Sequence, residues 1–279
     1  MVLNSYAKIN LNLSVNKKLK NGFHDIQSIY CLIDLHDKIF IKRNKNKSYD
    51  QIYFDGPYSK DINKFNNSIK KVLNVMRKNK LISDYFSVKV IKKIPIFAGL
   101  GGGTSNAAYL LNHLIKKKVK KKIMDKIVKE IGSDLRLFFH AQGYQKNLKS
   151  VFELNKKHKL YFLIAFPNIK SSTKTVYSKV RKFSKFKKIL KRNLTIKENF
   201  IKYLVNSKND LQSIVEKKHK IVRELLNNLN NFDQCHFSRM TGSGSACYGL
   251  FSNKNCSMVA LKKLRKKYPK FWISIAKTI

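Results

Sequence analysis

The sequence predicts an α+β fold in two parts, and three observations carry that reading. Alternating apolar residues mark several short strands. Apolar residues at three- and four-residue spacing mark helices. The two kinds of segment follow one another without a strict strand–helix–strand rhythm. A chain of 279 residues, at roughly 150 residues per domain, is long enough for two domains. Their boundary is expected in the lysine-rich stretch between Gly143 and His158, which divides the chain into 1–150 and 151–279.

The elements follow in order. Ile9, Leu11, Leu13 and Val15 alternate with Lys8, Asn10, Asn12 and Ser14. That predicts a strand over 7–15 with Lys8 and Asn10 on one polar face. Asn21-Gly22 marks a turn. Apolar runs at 26–35 and 38–42 predict further strands, and 87–94 alternates again. Ile69, Val72, Leu73 and Met76 predict a helix over 66–78. Ala107, Ala108, Leu111, Leu114 and Ile115 share one helical face, and a helix over 123–131 stops at Gly132. In the second half, strands are predicted at 160–166, 236–240, 246–251 and 271–276. One amphipathic helix is predicted over 212–229 and another over 258–267.

The most informative segment is Gly99 to Ser105, a glycine-rich loop between a strand and a helix. Glycines let the backbone turn with positive φ and approach a ligand closely. Consecutive N–H groups then line one concavity, and the following helix adds its unpaired N–H groups and the positive end of its dipole. Phosphate is the guest such a loop suits. No Gly-Lys-Ser/Thr closes it, so it is not a P-loop. Gly99, Gly101 and Gly102 do not reproduce the dinucleotide fingerprint either. A kinase acting on a hydroxyl needs a base and a cation beside such a loop. Asp134, just after a helix stop, and Lys8, on the polar strand face, are the candidates.

Charge is the other conspicuous feature. There are 59 Lys and Arg against 16 Asp and Glu, a formal net charge of +43. The excess is spread along the chain; Lys116-Lys117-Lys118 and Lys120-Lys121-Lys122 form one cluster, and residues 154–197 hold no acid. No nucleic-acid motif accompanies it, so a solvated basic surface is expected, with no specific nucleic-acid partner. Salt-sensitive attraction to polyanions and to small anionic substrates follows from charge alone. Phe183 and Phe186 among lysines read as core-facing rings of a lysine-coated helix. No run of about 18 uncharged apolar residues occurs, so no membrane span is expected. The first residues lack a basic segment leading into an apolar one, so no secretory leader is expected. Four scattered cysteines read as reduced structural thiols of a cytoplasmic protein.

Three segments, Ala7-Lys8-Ile9-Asn10-Leu11, Pro95 to Ala108 and Met240-Thr241-Gly242-Ser243-Gly244, resemble in order and spacing the three motifs of the GHMP small-molecule kinase superfamily. Within it, Gly22-Phe23-His24-Asp25 and Gly132-Ser133-Asp134-Leu135 resemble blocks of the 4-diphosphocytidyl-2-C-methyl-D-erythritol kinase family. The resemblance covers nearly the whole chain. It implies a ribosomal-protein-S5-like N-terminal domain and a ferredoxin-like C-terminal domain, with the site in the cleft between them. It implies ATP, arriving with Mg²⁺, as phosphoryl donor to the C2 hydroxyl of a small molecule carrying cytidine diphosphate, in the non-mevalonate isoprenoid pathway.

On this resemblance Lys8 and Asp134 are the catalytic pair. ATP is bound by Asn67, by Pro95, Ile96, Phe97, Ala98, Gly99, Leu100, Gly101, Gly102, Gly103, Thr104 and Ser105, and by Thr241, Gly242, Ser243 and Gly244. Asn10 contacts the erythritol end, Phe23 and Tyr177 stack on the two faces of the cytosine, His24 hydrogen-bonds it, and Thr173 lies nearby. No dedicated metal ligand is assigned, although Thr104 or Ser105 could contribute. A monomer or weak homodimer is expected. Three departures stand out: Arg136 where the family has proline, Phe23 where it has tyrosine, and a segment 140–150 with only Gly143 where it has a glycine-rich hairpin. The alternatives are another GHMP kinase of homoserine or mevalonate type, and a basic nucleic-acid-binding protein with a decayed kinase site.

Overall fold

The computed structural model describes residues 1–20, 22–45, 47–115, 119–190 and 192–279. Asn21 of the expected turn and Lys116 to Lys118 of the lysine cluster lie outside them. In chain order come β1 (Val2–Asn10), β2 (Ser14–Lys18), β3 (His24–Asn44), β4 (Gln51–Asp55), α1 (Ser68–Lys78), β5 (Tyr85–Ile91), α2 (Gly102–Leu114) and α3 (Lys121–Ile131). A 3₁₀ turn, Ser133–Phe139, leads to β6 (Gln142–Gln145), β7 (Val151–Glu153) and β8 (Tyr161–Phe166). Then follow α4 (Thr173–Ser178), α5 (Arg192–Thr195), α6 (Lys197–Val205), α7 (Gln212–Lys218), α8 (Lys220–Asn230), β9 (Cys235–Met240), β10 (Cys247–Phe251), α9 (Lys254–Lys267) and β11 (Trp272–Lys277). The architecture is α+β, as expected.

The chain packs as two compact units, each drawn from three segments. The first comprises Met1–Lys8, Leu35–Ile96 and Gly101–Phe139; the second comprises Ile9–Asp34, Phe97–Leu100 and His140–Ile279. This division by packing differs from the division by chain order at about residue 150. The reason is β3: its 21 residues run from the second unit into the first.

In the first unit β3 pairs antiparallel with β5, Lys38 opposite Ile91 through Asn44 opposite Tyr85, and β4 pairs parallel with β5. Helix α1 packs against both α2 and α3. Ile69, Val72, Leu73 and Met76 fall on one face of α1 and are all fully or nearly fully buried, as their spacing requires. Each such side chain contributes about 1.5–3 kcal/mol by leaving water. Gly132 ends α3 at φ +135°, and the chain enters the 3₁₀ turn that carries Asp134.

In the second unit four antiparallel strands run in the order β11-β8-β10-β9, with α8 and α9 packed on them. Leu163, Ala165, Leu225, Leu229, Cys247 and Leu264 form part of its core, joined by Leu13, Val15 and Ile26 from the N-terminal segment. The hairpin β6–β7 is present, Gly143 opposite Glu153 and Gln145 opposite Val151. Its turn needs no glycine: Asn147 Oδ1 accepts from the N–H groups of Lys149 and Ser150 at 2.9 and 2.8 Å.

Three expectations need correction. The strand over 7–15 is two strands, because at 11–13 the chain leaves the ladder; Leu11 N–H donates to Ile29 O and Leu13 N–H to Lys208 O. The helix over 212–229 breaks at His219, whose φ −133° and ψ 90° are extended. One non-helical residue hardly disturbs the apolar spacing, so periodicity does not reveal it. Residues 179–190 form no helix, and Phe183 and Phe186 are exposed rather than core-facing. All four cysteines are free thiols. Among the described residues no helix is long and apolar enough to cross a membrane.

Candidate active site

Lys8 and Asp134, 126 positions apart by their numbers, meet in the first unit. Lys8 Nζ lies 3.4 Å from Asp134 Oδ2, with the Lys8 side chain buried and that of Asp134 about one-third exposed. The alternation of β1 does set Lys8 and Asn10 apart from Ala7 and Ile9, but both faces of the strand are buried there. Lys8 therefore holds its ammonium inside the protein, which charge pairing makes tolerable.

The pair adjoins the start of α2. Gly101 caps that helix at φ +71°. A Cβ at Gly101 would lie 2.9 Å from Phe138 Cζ and 3.2 Å from Lys8 Cγ. Only glycine lets the lysine stem run past the helix start. The helix begins at Gly102, earlier than the hydroxyl residues Thr104 and Ser105, so these lie inside its first turn rather than capping it. A helix start carries N–H groups without intrahelical partners and the positive dipole end. Cation, carboxylate and anion-attracting main chain thus share one corner. Arg136 does not aim at the base: its Nη2 donates to Asp125 Oδ1 on α3.

The remaining ATP-loop residues of the second unit pack backbone on backbone. Ala246 N–H donates to Ala98 O at 3.1 Å, and Gly244 N–H to Thr241 O at 3.0 Å. A Cβ at Gly99, φ +79°, would sit 2.3 Å from Thr241 O and 3.1 Å from Gly244 N. Gly99→Ala should therefore cost about 2 kcal/mol or more through backbone overlap and strain. A chemical-denaturation midpoint unchanged from wild type would refute this. Asn209 Nδ2 braces the Thr241–Gly244 turn by donating to Met240 O and Gly242 O, both at 2.8 Å. Nothing in the sequence marks Asn209 for this role; an asparagine in a chain with many others carries no signal of such bracing.

The expected substrate residues of the second unit fall into two groups. Asn10 is buried; its N–H donates to Thr241 Oγ1 at 3.0 Å and its Nδ2 to Ser28 Oγ at 2.8 Å. Thr173 Oγ1 lies 3.0 Å from Ser243 Oγ. These two are tied to the Thr241–Gly244 turn. The aromatic group is separate in kind: the His24 ring centroid lies 5.2 Å from that of Tyr177, tilted 36°, and 6.4 Å from that of Phe183, at 27°. Phe23 is about half exposed. Burial, with Lys18 adding repulsion, holds the His24 imidazole below its ordinary pKa. Asn67, expected at ATP, caps α1: its Oδ1 accepts from Lys70 N–H at 2.9 Å and its Nδ2 donates to Asn63 O and Lys64 O. Phe183 escaped the sequence reading because its ring was assigned to a helix core.

Comparison with known proteins bears on the family and the fold. Residues 67–139 match the GHMP kinases N terminal domain, and residues 189–270 match the GHMP kinases C terminal family. A 4-diphosphocytidyl-2-C-methyl-D-erythritol kinase of Pelagibacter ubique is 38% identical over 288 residues, covering 99% of this chain and 98% of the relative. Another so named, from Anaplasma phagocytophilum, is 29% identical, covering 96% and 90%. The fold matches a crystal structure of 4-(cytidine 5'-diphospho)-2C-methyl-D-erythritol kinase with TM-score 0.73, 21% identity and 99% coverage of both chains. It also matches homoserine kinase from Cytophaga hutchinsonii with TM-score 0.69 and 14% identity, covering 100% of this chain and 93% of the other. With a buried lysine and a carboxylate meeting at a glycine-capped helix start, and a full-length relative at 38% identity, the chain belongs to the 4-diphosphocytidyl-2-C-methyl-D-erythritol kinase family of the GHMP kinases.

Proposed function

We propose that this chain transfers the γ-phosphoryl group of ATP to the C2 hydroxyl of 4-diphosphocytidyl-2-C-methyl-D-erythritol, a step of the non-mevalonate isoprenoid pathway. The observation that carries it is the Lys8–Asp134 pair beside the Gly101-capped start of α2. Asp134 accepts the hydroxyl proton as the oxygen attacks, and the Lys8 ammonium stabilises the charge on that oxygen. Main-chain N–H groups at the start of α2 hold the phosphates. Tyr177 and Phe23 hold the cytosine ring, and His24, neutral at pH 7, offers one donor and one acceptor to its edge.

Among the described residues no group of three or more His, Cys, Asp or Glu could hold a metal ion. Magnesium carried in on ATP keeps most of its waters and needs few protein oxygens. The Thr104 hydroxyl, in the first turn of α2, is the group that would contact it. The ion supplies neutralisation of phosphate charge. Ser105 is a poorer candidate, because its hydroxyl donates to Tyr6 O at 2.6 Å. We further read the protein as cytoplasmic, a monomer or weak homodimer without a specific nucleic-acid partner, with 1–150 and 151–279 as its two family domains.

The test is ADP release coupled to a spectrophotometric readout, with the cytidylyl substrate and with CMP as competitor. Turnover that CMP suppresses is expected; turnover indifferent to CMP would assign the chain to a kinase that does not read cytidine. CMP inhibition should hold steady from pH 8 to 7 and weaken below about pH 6.5, where a histidine with a lowered pKa finally gains its proton and loses its acceptor. Inhibition that strengthens on acidification would remove His24 from the base-reading role.

A further inference from the structure

Beneath the start of α2 lies a buried polar cluster that the mechanism does not use. Asp37 on β3 is fully buried, and Lys92, the residue after β5, is 1% exposed. Lys92 Nζ pairs with Asp37 Oδ2 and donates to Asn106 Oδ1 at 2.9 Å. Asp37 Oδ1 accepts the N–H groups of Lys93 and Ile94, and its Oδ2 also accepts Asn106 Nδ2 at 2.9 Å. The carboxylate is thus surrounded by donors.

The charges dictate which way the Asn106 amide points. An ammonium can only donate, so it must face the amide oxygen; a carboxylate can only accept, so it must face the amide nitrogen. With that orientation, Asn106 Nδ2 also donates to Ser5 Oγ at 3.0 Å. Ser5 Oγ lies 2.7 Å from Ser105 Oγ, which in turn lies 2.6 Å from Tyr6 O. A hydroxyl has one proton. Ser105 gives its proton to Tyr6 O, so Ser5 must give its own to Ser105. Every proton in the row Asn106, Ser5, Ser105, Tyr6 therefore points the same way. The row begins at an ion pair, passes through the first turns of α2, and ends on β1 two residues before Lys8.

We propose that Lys92 and Asp37, acting through Asn106, are positioning residues of the phosphotransfer site: they set the polarity of a buried hydrogen-bond row that locks the start of α2 to β1 beside Lys8. The inference rests on the kinase reading above and adds to it a reason why helix start and lysine stay in register. Buried networks of this kind are rigid when every member is satisfied, and here the ion pair decides that they are. Lys92 Nζ would lie 3.4 Å from a Cβ placed on Gly102, so the ion pair is directly under the first helical residue.

The test compares wild type, Asn106→Asp and Ser5→Ala. Asn106→Asp keeps the shape but removes the donor, so Ser5 loses its incoming proton and the row loses its direction. At a temperature where circular dichroism shows the variant folded, kcat should fall about tenfold or more, since small displacements at a reacting centre are costly. A purely structural role would lower the melting temperature and leave kcat per folded molecule and KM for ATP unchanged; that result overturns the proposal. Should Asn106→Asp fail to fold, Ser5→Ala decides: it cuts the row at its centre, and about a threefold loss in kcat/KM for ATP is expected, as for one member of a coupled network. Wild-type kinetics in Ser5→Ala would overturn the proposal as well. Calorimetric binding of a non-hydrolysable ATP analogue provides the readout that needs no turnover. An inactive wild type would refute the function proposed above, while weaker analogue binding by the variants than by wild type would still support the row, and equal binding would still overturn it.

Discussion

Asp134→Asn should lower kcat by about 10²–10⁴-fold, the range that general-base catalysis supplies, with KM for ATP nearly unchanged. The substitution keeps the size of the side chain and removes its negative charge together with its ability to take a proton. Asp134 sits in the Ser133–Phe139 turn with its side chain about one-third exposed, so the amide fits there, but the buried Lys8 ammonium loses the carboxylate it pairs with. Far-ultraviolet circular dichroism should keep its native shape while the melting temperature falls, so kcat is compared per folded molecule. Steady-state ADP release measures the effect. A loss smaller than about threefold would mean that another group takes the proton, far below what removal of a general base produces.

Lys8→Met should lower kcat by about 10²–10³-fold, as expected for removing one preorganised charge that stabilises the attacking oxygen. Methionine fills the space that the lysine stem occupies beside Gly101. Leaving a carboxylate unpaired is costly when it is buried, but Asp134 keeps access to water. Stability should therefore change little while activity collapses. The two measurements separate a chemical role from a structural one, because a lysine needed only for packing would give the reverse pattern: normal turnover in the folded fraction and a lower melting temperature.

Much of the site was legible in the sequence because glycine and charge are scarce signals with specific physical meanings. Gly99 and Gly101 adopt positive φ and lie where a Cβ would strike backbone or side chain, which is what a glycine-rich loop implies. Lys8 was legible as a polar residue at a strand position flanked by Ala7 and Ile9, and Asp134 as an acid just after a helix stop. That they meet was not derivable from periodicity, which reports faces and not partners; it came from resemblance. The buried row beneath α2 was invisible for the same reason. Asp37 sits in the run Leu35-His36-Asp37-Lys38 and Lys92 beside Lys93, and both look like ordinary surface charges until strand pairing turns them inward.

Elements of regular spacing, such as α1, were predicted nearly to the residue, whereas β4, β6 and β7 and helices α4 to α6 were missed. These are short, and several lie in lysine-rich sequence where apolar residues are too sparse to show a period. The segment around Phe183 misled in the opposite direction. Its aromatic and aliphatic residues at three- to four-residue spacing imitate a helix, but the chain there is held in a non-helical path by Ser184 N–H donating to Val15 O and by Gln27 bonding both ways with Lys187.

The long strand β3 has a consequence for how the molecule comes apart. Because one uninterrupted ladder segment supplies backbone partners to both compact units, neither can lose that strand without disturbing the other. A polypeptide severed near residue 150 would leave its carboxy-terminal piece without Leu13, Val15 and Ile26, three members of that unit's own apolar centre. Gene order and packing are therefore distinct properties here: the two halves of the reading frame are not the two compact units.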